Sequence, residues 1–328
     1  MHTSLEVGEI NEICGRENGG IGMRFDCIII GGGIAGLQAA IQLGRYAMHS
    51  VLVIDSSDGR SSICLSYRNL LGYPEGVSGM DLRRIGMNQA SSYGVQFTQD
   101  KVINAQSMQD GSFLIHGDKD NSTYEAATLL LATGVMDRFP ELPGLRECLG
   151  LTVFVCPDCD GFKVKDRATL VLGSGDTGAN MALTLRAWTS YLLYINHEHT
   201  VKSVSSELLD ALENAGIGYL KAHIQHILAA RGSIQSVVMQ DGLRIDAERA
   251  FLAFGGNEVR STLADQLGAH LHENMHILTH PRSKMTSIPN LWAAGDVAVH
   301  SEQVTIAMGE GSQAAIWIHK ALLERRNG

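Results

Sequence analysis

Phe25-Asp26-Cys27-Ile28-Ile29-Ile30-Gly31-Gly32-Gly33-Ile34-Ala35-Gly36 is the stretch that decides the fold. Phe25 to Ile30 reads as an apolar run of the kind that forms a parallel strand covered on both faces. Gly31-x-Gly33-x-x-Gly36 follows, with Ile34 and Ala35 between the last two glycines, and Leu37 to Tyr46 has helical composition. Glycines there allow a tight turn. They also let a pyrophosphate approach a helix N-terminus, where unpaired N–H groups and the helix dipole favour an anion. A second strand, Ser50 to Ile54, ends at Asp55, about twenty residues beyond Gly36, where a carboxylate can accept from a ribose hydroxyl. Strand, glycine loop, helix and acid in this order predict a dinucleotide site rather than a turn with only a structural purpose.

Working outward, the same pattern starts again at Ala168. Thr169 to Leu172 reads as a strand, Gly173-x-Gly175-x-x-Gly178 as a loop, Ala179 to Trp188 as a helix and Tyr191 to Ile195 as a strand. This second strand ends at Asn196, not at an acid, and His197, Glu198 and His199 follow. Asn196 is a weaker candidate for a ribose, and Lys202 is the nearest cation in sequence for a 2′-phosphate. A glycine loop kept only for folding therefore stands beside the reading as a second nucleotide site. Two βαβ units predict an α/β protein with two doubly wound, Rossmann-like domains. Later strands end in glycine turns at Ala132-Thr133-Gly134, at Gly255-Gly256 and at Gly295-Asp296, the last leading into a helix from about Thr305. The last segment reads as a return to the first domain. The expected division is an extension over 1–23, a discontinuous first domain over 24–137 and 256–328, and an inserted second domain over 138–255.

Composition agrees with a globular protein. The 328 residues are 45% hydrophobic and 19% charged, with a formal net charge of -9. Without a basic block, nucleic acid is not an expected partner. The mildly apolar stretch from Phe25 to Leu43 is interrupted by Asp26, Gln38 and Gln42, which argues against a membrane span. Residues 1–22 have neither the basic nor the apolar region of a signal peptide, and Met23 could be the true start. A cytoplasmic location is expected.

Six cysteines are present, but only Cys156-Pro157-Asp158-Cys159 forms a motif. Two thiols at this spacing can close a small disulfide across a helix start, where the dipole favours a thiolate. Zinc would need further Cys or His ligands close by, and no second cluster stands out, so a redox pair is expected and no metal site. Asp158 should oppose thiolate formation. Asp160 can shuttle the proton that disulfide reduction requires, or merely serve the helix N-terminus. Cys64 and Cys148 read as small hydrophobes, and His197 with His199 as a solvated loop.

Taken together, the motifs resemble those of low-molecular-weight thioredoxin reductases from about Arg24 to the C-terminus. They are Gly31 to Gly36, Asn69-Leu70-Leu71-Gly72-Tyr73-Pro74, Ala132-Thr133-Gly134, Cys156 to Gly161, Gly173 to Gly178, and Gly295-Asp296. The resemblance implies FAD, a dimer, and two domains that rotate to present either NADPH or thioredoxin. It implies that Cys159 lies nearest the flavin, that Cys156 exchanges with the substrate disulfide, and that Asp160 is the acid/base. Asp296 would hold the ribityl and pyrophosphate region, Gln303 would sit beside the isoalloxazine, and Val304 and Thr305 would start a helix aimed at the flavin. Asn69, Thr133 and Gly134 would complete the FAD site.

The departures are local. Asn196-His197-Glu198 stands where the family has His-Arg-Arg for NADPH, and Asn180 and Met181 replace early acidic residues of the preceding helix. Glu302 replaces a common Arg, and Pro157-Asp158 replaces the usual filler of the dithiol motif. FAD and dithiol chemistry are expected to carry over, with NADPH a doubtful donor and NADH or ferredoxin the alternatives. The acceptor would be a thioredoxin-like protein or a small disulfide. Two rival readings use the same parts: an oxidase passing electrons from a small dithiol through FAD to oxygen, and a flavin redox sensor with little turnover.

Overall fold

The computed structural model describes residues 23–327; the expected extension otherwise lies outside them, while Met23 is the first residue of a strand. The chain runs β1 (Met23–Ile30), α1 (Ile34–Arg45), β2 (Val51–Asp55), α2 (Gly79–Ser91), β3 (Gln96–Gln99), β4 (Val102–Ser107), β5 (Phe113–Gly117) and β6 (Thr123–Leu131). It crosses through β7 (Val135–Met136) into α3 (Leu145–Cys148), β8 (Val153–Phe154), α4 (Pro157–Asp160), β9 (Thr169–Gly173), α5 (Gly175–Leu185), β10 (Leu192–Asn196), α6 (Ser206–Asn214) and β11 (Gly218–Lys221). Then come β12 (Ile224–Ala230), β13 (Ser233–Met239), β14 (Arg244–Asp246) and β15 (Arg249–Ala253). The return passes through β16 (Glu258–Val259) to α7 (Thr262–Gln266), β17 (Leu291–Ala293) and α8 (Val304–Asn327).

The first sheet has the order β3-β2-β1-β6-β5-β4, with β17 paired to β6. β1 pairs in parallel with β2 and β6, so the first glycine loop leaves the middle of the sheet at its C-terminal edge. Cys27 to Ile29 are fully buried, which explains why the run carries no alternation. α8 returns across α1, and a Cβ at Gly311 would lie 2.2 Å from the Ala35 carbonyl oxygen. Only glycine permits that approach, and it brings the end of the chain against the helix that follows the loop. The second sheet has the order β11-β10-β9-β15-β8, with an antiparallel β12-β13-β14 sheet beside it. The two crossings, β7 and β16, pair antiparallel.

The last strand stops short of the Gly295-Asp296 turn at which the sequence reading ends it. Gly295 takes φ +80°, which ends regular strand geometry, and β17 holds only Leu291–Ala293. α1 starts at Ile34, inside the glycine motif, because the Leu37 N–H already bonds the Gly33 carbonyl.

Candidate active site

A cleft of about 810 Å³ opens at the C-terminal edge of the first sheet. It is lined by Gly31, Gly33, Ile34, Ala35, Asp55, Asn69, Thr133, Gly134, Gly295, Asp296, Gln303 and Val304 from the first domain. Cys156, Asp158, Cys159 and Asp160 line it from the inserted domain. The glycines serve different ends. A Cβ on Gly31 would meet the Ala132 carbonyl oxygen at 2.3 Å, and one on Gly36 would meet the Gly31 carbonyl oxygen at 1.9 Å. A Cβ on Gly33 would meet nothing within 4 Å, so that position faces open space where a phosphate could approach. Gly36 thus acts by packing and does not line the cleft. Thr305 does not line it either; its side chain is exposed although the helix begins beside it.

Asp55 ends β2 with Oδ1 accepting the Gly32 N–H at 2.8 Å, and Oδ2 takes the guanidinium of buried Arg83. The carboxylate read as a ribose acceptor therefore also fixes the loop. Thr133 donates to the Arg260 carbonyl at 2.6 Å, tying the end of β6 to the returning segment.

The residue that sequence reading missed most completely is Arg60. Its guanidinium lies in the cleft among Asp137 (2.6 Å), Asp296 (3.1 Å) and Glu302. Burial raises both Asp137 and Asp296 above the usual carboxylate range, and the Arg60 charge opposes that shift. Arg60 Nε is buried with no partner among the described residues. An orphaned donor beside a glycine loop, in a cleft of this volume, fits an acceptor from a phosphate-bearing cofactor. Behind Asp296, buried Glu310 of α8 accepts from Lys284 (2.7 Å) and the Gly295 N–H (3.0 Å). His300 Nε2 stands 2.8 Å from Glu310 and 2.8 Å from the Gly295 carbonyl, and Nδ1 stands 2.6 Å from the Ser301 carbonyl. Every partner is an acceptor, so the ring is an imidazolium. Burial alone would lower it, but these bonds outweigh burial and hold it at about 9.

The dithiol faces this cleft. Cys156 is the N-cap of α4, and its Sγ accepts the Cys159 N–H at 3.2 Å. Cys159 Sγ accepts from Gln303 Nε2 at 3.5 Å, and Asn69 Nδ2 donates to Gln303 Oε1 at 2.7 Å. A chain of contacts therefore joins the two domains at the thiol expected nearest the flavin. The bond from Cys159 favours the Cys156 thiolate, against burial and the charges of Asp158 and Asp160. Cys159 is held well above the ordinary thiol value by Cys156, burial and the same two carboxylates. The Asp160 side chain makes no capping hydrogen bond; it pairs with Lys163 at 2.6 Å. Cys64 also lines the cleft, half-buried and raised by burial, and is not a buried hydrophobe. Cys148 and Cys27 are buried, pushed up to about 11 and about 12 by burial. No cluster among the described residues has the makings of a metal site, and no described helix is long and apolar enough to cross a membrane.

Residues 25–311 match the pyridine nucleotide-disulphide oxidoreductases. The chain belongs to that family. The oxidoreductase is 26% identical to a thioredoxin reductase of Treponema pallidum over 298 residues, covering 89% of this chain and 95% of the relative. It is 28% identical to that of Coxiella burnetii over 306 residues, covering 88% and 93%. The crystal structure of a putative thioredoxin reductase from Bacillus anthracis superposes with a TM-score of 0.79 at 26% identity, covering 92% and 99%. The protein is thus a flavin-dependent disulfide oxidoreductase of the thioredoxin-reductase-like type.

The second glycine loop of this oxidoreductase lies away from the cleft, and none of Gly173, Gly175 and Gly178 lines it. A Cβ on Gly178 would meet the Tyr194 ring at 2.3 Å, and Tyr194 Oη donates to the Gly175 carbonyl at 2.7 Å. Asn196, read as a ribose ligand, is fully buried. Its Oδ1 accepts the Gly175 N–H (3.2 Å), and its Nδ2 donates to the Lys202 carbonyl (2.9 Å) and to Tyr219 (3.3 Å). Its amide braces the loop and is not offered to a ligand. His197 is not a solvated loop residue: Nδ1 accepts the Ile224 N–H at 2.8 Å, and burial lowers the ring below its ordinary value. Glu198 is not a free charge. Its two oxygens take Arg138 Nη1 (2.8 Å) and Nη2 (2.9 Å), and this pairing brings it down to about 2. In space, the cation bonded to Glu198 comes from the interdomain crossing.

Proposed function

We propose that this protein reduces a disulfide on a thioredoxin-like protein through Cys156 and Cys159, using an FAD held in the first-domain cleft and a donor other than NADPH. The single observation that carries the reading is Cys159 beside Gln303 in the cleft that also holds Gly33, Asn69 and Asp296. When bound, FAD supplies the two-electron relay between the donor and the Cys156–Cys159 disulfide. Gly31, Gly33, Asp55, Asp296 and Arg60 are the residues that would hold it.

The steps at the thiols follow from their surroundings. The Cys156 thiolate, favoured by the bond from Cys159, attacks one sulfur of the substrate disulfide. That breaks the S–S bond and leaves a mixed disulfide and a substrate thiolate. Cys159 then attacks Cys156 Sγ, forming the internal disulfide and releasing the second substrate thiolate. The Cys159 proton must leave as this happens, and in this reading Asp160, the next residue and paired with Lys163, carries it to the departing sulfur. Two electrons pass from the dithiol to the substrate, and two must be returned to the internal disulfide.

NADPH is the disfavoured donor because β10 ends at Asn196 and the residues that follow are His197 and Glu198. Losing two charge-assisted contacts to the 2′-phosphate, each roughly 1.5–3 kcal/mol, weakens binding by about two to four orders of magnitude. NADH or a small iron–sulfur protein such as ferredoxin would take its place. An anaerobic stopped-flow experiment with NADPH, NADH and reduced ferredoxin tests this. Flavin bleaching by NADH or ferredoxin is the expected result, and rapid bleaching by micromolar NADPH would overturn the donor assignment.

A further inference from the structure

The space over the second glycine loop is crossed by a side chain that enters from the interdomain crossing. β10, β9 and β15 are neighbours in the second sheet. In an open parallel sheet a dinucleotide lies across the C-terminal ends of such strands, at the switch point. Those ends are Asn196, Gly173 and Ala253. Arg138 is held just past β15, where Nε donates to the Gly255 carbonyl (2.8 Å) and Nη2 to the Phe254 carbonyl (3.0 Å). The same guanidinium meets both oxygens of Glu198, two residues past β10. A bridge between those two ends must pass the end of β9, where the glycine loop begins. Phe254 lies under the guanidinium, 5.8 Å from ring centroid to Cζ. Arg138 also ties the two crossings together, because its N–H bonds Asn257 Oδ1 between them.

We propose that the Arg138–Glu198 bridge is a clasp that closes the dinucleotide groove of the inserted domain, with Arg138 a latent phosphate ligand that Glu198 keeps occupied. This rests on the reading of NADPH as a poor donor, and it gives a cause additional to the missing arginines: the groove already contains an anion on its own guanidinium. A carboxylate and a phosphate present the same bidentate face to arginine. A carboxylate on the same chain competes at an effective concentration on the order of millimolar or more, so a free nucleotide must outbid it. Lys202 Nζ, 3.8 Å from Glu198, is drawn to the same carboxylate. Removing the Glu198 charge would leave two cations facing the groove.

The test is calorimetric titration of the FAD-loaded protein with NADP+ and NAD+, which bind without reducing the flavin. Wild type is compared with Glu198→Gln and Arg138→Ala. Glu198→Gln should tighten NADP+ at least tenfold, and NAD+ by less, since the 2′-phosphate supplies the extra charge for the freed cations. Arg138→Ala should show no gain, because it removes the ligand and bares the carboxylate. Retained flavin absorbance and circular dichroism establish that each variant is folded. A folded Glu198→Gln that binds no tighter than wild type overturns the clasp. So does an equal gain in Arg138→Ala, which would mean simple loosening of the groove. These outcomes are ratios of affinities, so they stand apart from the donor assignment, which fails only if wild type is rapidly reduced by NADPH.

Discussion

His300 gives a prediction whose size can be worked from its surroundings. Glu310 is 6% exposed and holds His300, Lys284 and the Gly295 N–H at one carboxylate. Lifting an imidazole from its ordinary 6.5 to about 9 corresponds to about 3 kcal/mol of linkage. The ring keeps some solvent contact, and screening reduces the expected contribution to about 2 kcal/mol. His300 is protonated in the folded chain up to about 9 but in the unfolded chain only up to 6.5. Its stabilisation is therefore complete below 6.5 and is lost as pH rises through about 9. Glu310 is shifted the other way, downward, because its two cations outweigh burial, so its own contribution is lost only in acid and leaves the alkaline window undisturbed. Glu310→Gln removes the charge that holds the imidazolium. Urea unfolding with saturating FAD should show wild type ahead of Glu310→Gln near neutrality. The gap should narrow by about 2 kcal/mol above the His300 value. The thiols and other histidines are common to both proteins and cancel in the comparison. A gap of the same size on both sides of the window would refute the assignment of His300 as an imidazolium bound by Glu310.

The other expectations concern the cleft. Cys156→Ser should give a long-wavelength charge-transfer band with bound FAD, visible only in the alkaline range because burial, and then Asp160 and Asp158, oppose the Cys159 thiolate. Asp158→Asn in that background should move the spectrophotometric midpoint to lower pH, and an unchanged midpoint would show that Asp158 does not act on Cys159. Asp296→Ala should weaken FAD retention by about ten- to a hundredfold in equilibrium dialysis, from the loss of a charge-assisted acceptor of roughly 1.5–3 kcal/mol. Arg60→Gln should do the same by leaving Asp137, Asp296 and Glu302 without their cation, and full FAD retention in both variants would remove these residues from the cofactor site.

What was legible in the sequence was what is written in short spacings. Gly31, Gly33 and Gly36 with Asp55, and Cys156 with Cys159, are local patterns whose chemistry depends on nearest neighbours along the chain. Arg60 was invisible because its partners Asp296 and Glu302 come 236 and 242 residues later, and nothing in a loop of small polar residues marks one arginine as the centre of a charge cluster. The pairing of Glu198 was out of reach for the same reason, its partner Arg138 lying 60 residues earlier. Asn196 shows a subtler limit. Its place at the end of β10 was read correctly, but only the structure shows that the amide turns inward to Gly175 and Tyr219. Glu310, inside an otherwise small and apolar helical stretch, was the one missed residue with a signal: a carboxylate between glycines on a buried helix face needs a cation.

The close crossing of α8 over α1 at Gly311 has a consequence for synthesis. The first glycine loop is made before the inserted domain, but the segment carrying Asp296 and Gln303, and the helix that packs on Ala35, are made only after it. The inserted domain is released between them and has its own core from Leu142 to Phe254. A nascent chain stalled before residue 304 therefore holds a dithiol domain able to fold beside an unfinished cradle. The cysteine pair of the second domain is thus synthesised before Asp296 and Gln303 are in place to complete the cleft that it faces.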